Sequence, residues 1–407
     1  MRDAFLQASR TLVANRLRSA LGALAIAVAV ATQVLVTTAL DGVAASAEET
    51  TARAFGSETF LLAQIAAPGR VSREQFLDQL RRNPPITRSD WRFLERVADG
   101  TVRYAPNVST VANVAAGGRT FDNAGVSGTT SDLAVMRDLE VERGRFLTFD
   151  DDERGTLVAV IGADVADALY PGVDPLGQTI RIAGRGFQVV GLQRRQGTAN
   201  GTSLDRFVWI PISAWERAFG APRTLPLFVR ATPDVGAQQA EDHARVSMRA
   251  RRQLLPAEAD NFDILTPDAA RGFVASLTSR IGLAAGPISL MALLAAIVVV
   301  TNTVLVSVTQ RTREIGVRRA LGATRTTVVR EVLAESALTA VLGGLAGLAA
   351  AWLLIVVLAG ALDLPLTIRS STVVQSVLAS ALSGVVAGWY PARRATRLVI
   401  VDALRAE

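Results

Sequence analysis

The sequence predicts a membrane α-helical protein of four transmembrane helices, plus an α+β extracytoplasmic domain inserted between helices 1 and 2. Three observations carry that prediction. Mean hydropathy is +0.30 while charged residues still make up 20% of the chain, a balance that suits membrane spans joined to a water-exposed domain. Four apolar runs are long enough to cross a bilayer, and some 240 residues between the first two contain no comparable run. The arginines cluster at alternate ends of those runs.

Residues 1 to about 18 place Phe5, Leu6, Leu12, Val13 and Leu17 near one helical face, with Arg10, Arg16 and Arg18 mostly off it. This pattern reads as an interfacial amphipathic helix leading into the membrane. The uncharged run Ala20 to Leu40 follows, giving an N-terminal unit over 1–40. A cleaved signal peptide ending near "AASAEE" is the competing reading, although the apolar run exceeds a typical signal core.

Residues 41–285 form the extracytoplasmic domain with its stalk helices. Strand-like runs, "ETFLLAQI", "TLVAVIG", "QTIRIAG", "GFQVVGLQ", "RFVWIPI" and "PLFVRA", are separated by Gly, Pro, Asp and Asn. Helical stretches interleave with them at Ser72 to Arg82, Ser89 to Ala98, Ala163 to Leu169 and Gly236 to Leu255. The mixture predicts α+β in two lobes.

Residues 286–407 hold the remaining spans: about 288–308, 332–358 and 373–389, then a tail. Pro267 to Leu283 extends the second span outward as a stalk, and Gly286-Pro287 is the expected kink. Arg10, Arg16 and Arg18 precede span one. Arg311, Arg313, Arg318, Arg319, Arg325 and Arg330 lie between spans two and three, and Arg393, Arg394, Arg397 and Arg405 follow span four. The loop between spans three and four has only Arg369, beside Asp363. The positive-inside rule then puts both termini and the 311–330 loop in the cytoplasm, and the large domain outside.

Several chemistries are excluded. There is no cysteine, hence no disulfide framework or thiolate site. All 43 basic residues are arginine, and a phosphate loop of the Walker A type needs a lysine. These residues therefore do not hydrolyse nucleotide by that route. His243 stands alone in a polar helical stretch and reads as an exposed surface histidine. Asp150-Asp151-Asp152-Glu153 lacks ordered ligand spacing and reads as a solvated turn rather than a cation site. "GRGF" and "AAGGRTF" read as glycine turns, not nucleotide loops. The net charge of +6 reflects membrane topology, with no nucleic-acid partner expected.

The densest signal is Asn302 to Gly347. Asn302 leads an apolar stretch, and Arg313-Glu314-Ile315-Gly316 follows. Arg318 and Arg319-Ala320-Leu321-Gly322-Ala323 come next, then Glu335 and the pair Gly343-Gly344 with Gly347. This succession resembles the FtsX-like permease domain of the MacB type of ABC transporter. The tail resembles the family's closing pattern at Pro391-Ala392, Arg394-Ala395 and Ala403-Leu404-Arg405. It departs from that pattern at Val399-Ile400, where an Asp-Pro pair is usual. Asp174-Pro175-Leu176-Gly177 and the strands around it look like the family's outer domain.

Read on its own, 311–325 is a short amphipathic helix. Ile315, Val317, Ala320 and Leu321 are its apolar set, Glu314 and Arg318 an i,i+4 pair, and Gly322 its left-handed stop. A solvated basic loop explains the arginines but not the apolar residues among them; a helix docked in a partner's groove explains both. The resemblance implies that partner: a cytoplasmic ABC ATPase, which would bind the ATP and magnesium, this chain holding no cofactor. It also implies a non-catalytic permease, or mechanotransmission, subunit working with a second copy of itself or a related permease, in the bacterial cytoplasmic membrane. Ala340, Gly343, Gly344 and Gly347 permit close helix approach, within the chain or between copies. The alternative reading is an FtsX-like scaffold that activates an extracytoplasmic enzyme such as a cell-wall hydrolase. A periplasmic adaptor belongs to the export reading.

Overall fold

The computed structural model describes residues 16–56, 59–69, 72–98, 100–199, 202–232, 234–362 and 366–396. The amphipathic stretch before Arg16, Asp363, and the tail motif beyond Thr396 lie outside the described residues. Two compact units emerge: residues 1–45 with 277–407, and residues 46–276. The expected class holds: four long apolar helices, with an α+β domain between the first and the rest.

Helix α1 (Arg16–Phe55) runs unbroken through "AASAEE". In the domain it is followed by β1 (Thr59–Ala63), α2 (Arg73–Arg82), α3 (Arg88–Ala98), β2 (Val102–Ala116), β3 (Arg119–Thr129), α4 (Asp132–Met136), β4 (Val141–Gly144) and α5 (Phe149–Glu153). Then come β5 (Val158–Ile161), α6 (Ala163–Leu169), β6 (Thr179–Ile182), β7 (Arg185–Gln193), β8 (Thr198–Ala199), β9 (Thr202–Ser203), β10 (Phe207–Pro211), α7 (Ile212–Phe219), β11 (Leu227–Ala231), α8 (Ala237–Arg251) and β12 (Asp263–Leu265). The membrane unit is completed by α9 (Pro267–Gln310), α10 (Thr312–Ala320), α11 (Arg325–Leu362) and α12 (Ser370–Thr396).

Every strand-like run of the sequence is a strand. The longest hairpin, β2–β3, is additional to them. Its turn is Gly117-Gly118, with φ of +55° and +83°, and Ala116 faces Arg119 across it. Two positive φ values in a two-residue loop are the geometry that matches strand twist, and glycine adopts them without strain.

Strand β2 belongs to both lobes. Its first half pairs with β11, which continues to β1 and β12 as an antiparallel sheet. Its second half joins a closed ring: β2 pairs β3, β3 pairs β10, β10 pairs β5, β5 pairs β7, β7 pairs β6, and β6 returns to β2. Closure into a barrel removes exposed sheet edges. Ala124, Val126, Ile161, Ile180, Ile182, Phe187, Val208 and Ile210 are among its buried residues.

Two readings of the domain's polar groups need correction. Asp151 is buried, not in a solvated turn. It closes a capping box with Thr148 at the start of α5, and Arg145 Nη1 donates to it at 2.6 Å. Burial disfavours its charge. The hydrogen bonds from Arg145, Thr148 and Thr156 outweigh that and hold its carboxyl well below the usual range. His243 is half-buried on α8, and its Nδ1 is shielded from solvent. Its neighbour Ala244 turns into the core, which draws that part of α8 inward.

The membrane unit is built on small residues. A Cβ on Gly343 would lie 2.5 Å from the Ala23 carbonyl oxygen, and one on Gly347 would collide with that of Ala27. So α1 and α11 touch backbone to backbone through glycines one turn apart. The adjoining face of α11 meets α12: a Cβ on Gly344 would sit 2.5 Å from Ser380 Oγ, and one on Gly384 2.5 Å from Ala340 Cβ. Of the two uses open for these glycines, the structure shows contact within the chain. Helix α9 runs unbroken through Pro287, and Thr301 Oγ1 donates to the Ala387 carbonyl at 3.1 Å, tying α9 to α12.

Candidate functional site

Helix α10 lies between two membrane helices, separated from α9 by Arg311 and from α11 by a four-residue turn. It is shorter than the expected 311–325 segment, ending at Ala320. Gly322, at φ +103°, turns the chain, and the Gly322 and Ala323 N–H groups donate to the Arg319 and Arg318 carbonyls. This satisfies carbonyls at the helix end.

The apolar residues divide. Gly316 is buried, and Ile315 packs partly buried against the membrane core that contains Val308, Val328 and Val332. Leu321 is 84% exposed and Val317 42%. Sequence reasoning grouped Ile315 with Leu321 as one docking face. The structure points Ile315 inward and leaves Leu321, Val317 and Ala320 outward. Helical spacing alone does not report which face meets the bundle.

Charge fixes the helix in place. Arg318 Nη1 reaches Glu331 Oε1 at 2.7 Å rather than its helical neighbour Glu314. Arg311 Nη1 lies 3.7 Å from Glu335 Oε2, and Arg319 Nη1 donates to the Thr396 carbonyl at 3.1 Å. Glu331 and Glu335, one turn apart on α11, thus hold the N-cap residue and the last turn of α10. These pairs are the part that sequence reasoning missed. Glu331 and Glu335 stand four residues apart, on one helical face, and that spacing is the signal that could have found them.

Arg313 and Glu314 are exposed, as are Arg325 and Arg330, while Ala323 is half-buried. Asn302 sits on an exposed face of α9. Gly343, Gly344, Gly347 and Glu335 lie on α11 together. Among the described residues no group of three or more His, Cys, Asp or Glu is placed to hold a metal ion.

Residues 19–246 match the model of the MacB-like periplasmic core domain, and residues 287–400 match the FtsX-like permease C-terminal model. The macrolide export ATP-binding/permease protein MacB of Bdellovibrio bacteriovorus is 28% identical over 98% of this chain and 61% of its own length. The protein of that name from Azoarcus is 31% identical over 98% of this chain and 59% of its own length. This chain therefore spans about three fifths of the length of these two relatives. The crystal structure of the periplasmic region of MacB from Actinobacillus actinomycetemcomitans aligns with a TM-score of 0.45 and 19% identity, over 55% of this chain and 95% of that one. On the two domain matches, which together cover most of its length, the chain belongs to the family of multi-pass membrane permeases that carry a MacB-like periplasmic core domain and an FtsX-like permease domain.

Proposed function

We propose that the chain is the mechanotransmission subunit of an ABC exporter: an ATPase docks on α10 from the cytoplasm, and the membrane helices carry its motion to the extracytoplasmic domain. The observation that supports this most is the pairing of an outward Leu321 with an inward, ion-paired anchorage of the same short helix. Leu321 is 84% exposed and stands with exposed Val317 and Ala320, an apolar set on a short helix that a partner's groove would cover. A helix fastened to α11 at both its ends passes a push on to that span instead of swivelling.

The sidedness belongs to the same reading. Both termini and α10 are cytoplasmic, by the arginine distribution. ATP and magnesium reside on the ATPase, since these residues include no lysine for a phosphate loop. A second permease completes the complex. The names of the relatives, which specify macrolide export, support extrusion of a substrate as the use of the motion.

The test is purification of the tagged chain from its native membranes. An ABC ATPase whose turnover depends on the chain is the expected companion, and Leu321→Asp removes it. Retention of the ATPase by Leu321→Asp would refute docking at this site.

A further inference from the structure

Helices α1, α9 and α12 leave a recess of about 280 Å³ between them. Gln33 and Thr37 of α1, Ser289 of α9, and Thr372, Gln375 and Ser376 of α12 give it a polar lining within apolar helices. Val30, Leu290 and Leu293 complete its wall on the apolar side. The extracytoplasmic domain is joined to the C-terminal end of α1 and the N-terminal end of α9, so the recess lies toward that side of the bilayer. Depth follows from an ion pair. Asp41 of α1 meets Arg369 Nε at 3.2 Å, which marks the wet boundary. Thr37 and Gln33 then lie about 6 and 12 Å deeper at the rise of a helix.

Polar groups at that depth require partners, since the hydrocarbon offers none. Among the described residues, the side chains of Gln33, Ser289, Gln375 and Ser376 form no hydrogen bond. Ser289 and Ser376 are 9% and 5% exposed, while Gln33 and Gln375 are exposed. The carboxamides and hydroxyls both donate and accept, and no ionisable side chain lines the recess. The complementary occupant is uncharged there, rich in carbonyl acceptors, and continued by an apolar chain.

We propose that the recess binds the ester linkage of a diacyl membrane lipid from the leaflet on the side of the extracytoplasmic domain. Gln33 and Gln375 donate to its carbonyl oxygens, and its acyl chain lies on Val30, Leu290 and Leu293. A second copy of the chain fits less well. Helix faces are convex, and one would fill a concave space between three helices only by inserting a side chain. The inference does not depend on ATPase docking, because every residue it uses is remote in sequence from α10.

The experiment places the full chain in bilayers of phosphatidylethanolamine and phosphatidylglycerol, doped with a diacyl phospholipid bearing a diazirine on the acyl carbon next to the ester. After irradiation, peptide mapping locates the adducts. The lipid-exposed residues Leu353 and Val357 of α11 are the reference for casual contact. The expected result is labelling of 286–293 and 372–379 several-fold above that reference. The double variant Gln33→Leu, Gln375→Leu should lose this excess while the reference labelling and the melting temperature stay unchanged. Equal labelling of recess and reference, or an excess that survives in the double variant, overturns the proposal. In a second arm, Gln375→Cys introduces the sole cysteine of the chain. Efficient disulfide formation between copies would assign the recess to a subunit contact and overturn it equally.

Discussion

In the extracytoplasmic domain, arginine acts as a staple. Arg245 and Arg249 both reach Asp260, Arg251 reaches Asp90 from another helix, and Arg145 holds Asp151. In the membrane unit the interior is instead assembled by removing side chains: Gly343 and Gly347 against α1, Gly344 and Gly384 between α11 and α12. Among the described residues its ion pairs lie toward the ends of the helices, at Asp41–Arg369 and at the two contacts of α10. The difference follows from the solvent. Water tolerates a half-exposed guanidinium and discounts its pairing, whereas hydrocarbon penalises any charge and rewards close backbone approach. A charge at the membrane boundary is therefore informative about function in a way that one on the domain surface is not.

The largest effect expected from this contrast is at Gly347. Gly347→Leu forces α1 and α11 apart and costs about 3 kcal/mol or more. It should abolish a monodisperse peak in size-exclusion chromatography of the solubilised protein. Ile315→Asp comes next, at about 2–3 kcal/mol, because it puts a carboxylate against the membrane core. Its melting temperature should fall, whereas that of Leu321→Asp should equal the parent's. Equal losses in the two would erase the distinction between the inward and outward faces of α10.

In the domain, Asp151→Asn loses the charge-assisted bond to Arg145 and costs about 2 kcal/mol. The sign with pH is fixed by the lowered carboxyl. Its contribution is complete above the unfolded value of about 3.9 and disappears as pH falls through the lower folded value. The difference in melting temperature between parent and Asp151→Asn should therefore shrink as the solution is acidified below pH 4. Among the variants that lose a contact, the smallest effect on stability is at Arg318. With the side chains 46% and 25% exposed, the Arg318–Glu331 pair contributes at most about 1 kcal/mol. Its signature is functional: Arg318→Glu should lower ATP-driven export with the ATPase still bound, and the exchange Arg318→Glu, Glu331→Arg should recover much of it. Failure of the exchange to restore export would reduce these pairs to ordinary surface contacts.

Much of this organisation was legible in the sequence. Spans and sidedness follow from apolar length and arginine placement, which depend on local composition. The six short apolar runs read as strands because β-branched and aromatic residues are concentrated in them. The β2–β3 hairpin escaped notice because Ala, Ser, Asn and Pro dilute its alternation, and its Gly-Gly turn was read without its flanks. Closure of the barrel was out of reach, since it depends on β6 returning to β2 across more than sixty residues of chain. At α10 the residues were legible but their direction was not. Only the packed bundle shows that Ile315 turns into the membrane core while Leu321 stays outside. Arg318 likewise had a favourable partner in Glu314 at helical spacing, and tertiary structure supplied a different one in Glu331.

The most direct test of the central claim measures ATPase retained by the tagged chain and its Leu321→Asp variant, purified side by side from native membranes. The account predicts that the parent retains a stoichiometric ABC ATPase and that the variant, with the same melting temperature, retains almost none. A variant that keeps the ATPase in parental amount would contradict docking on α10 and leave its exposed apolar face without a partner.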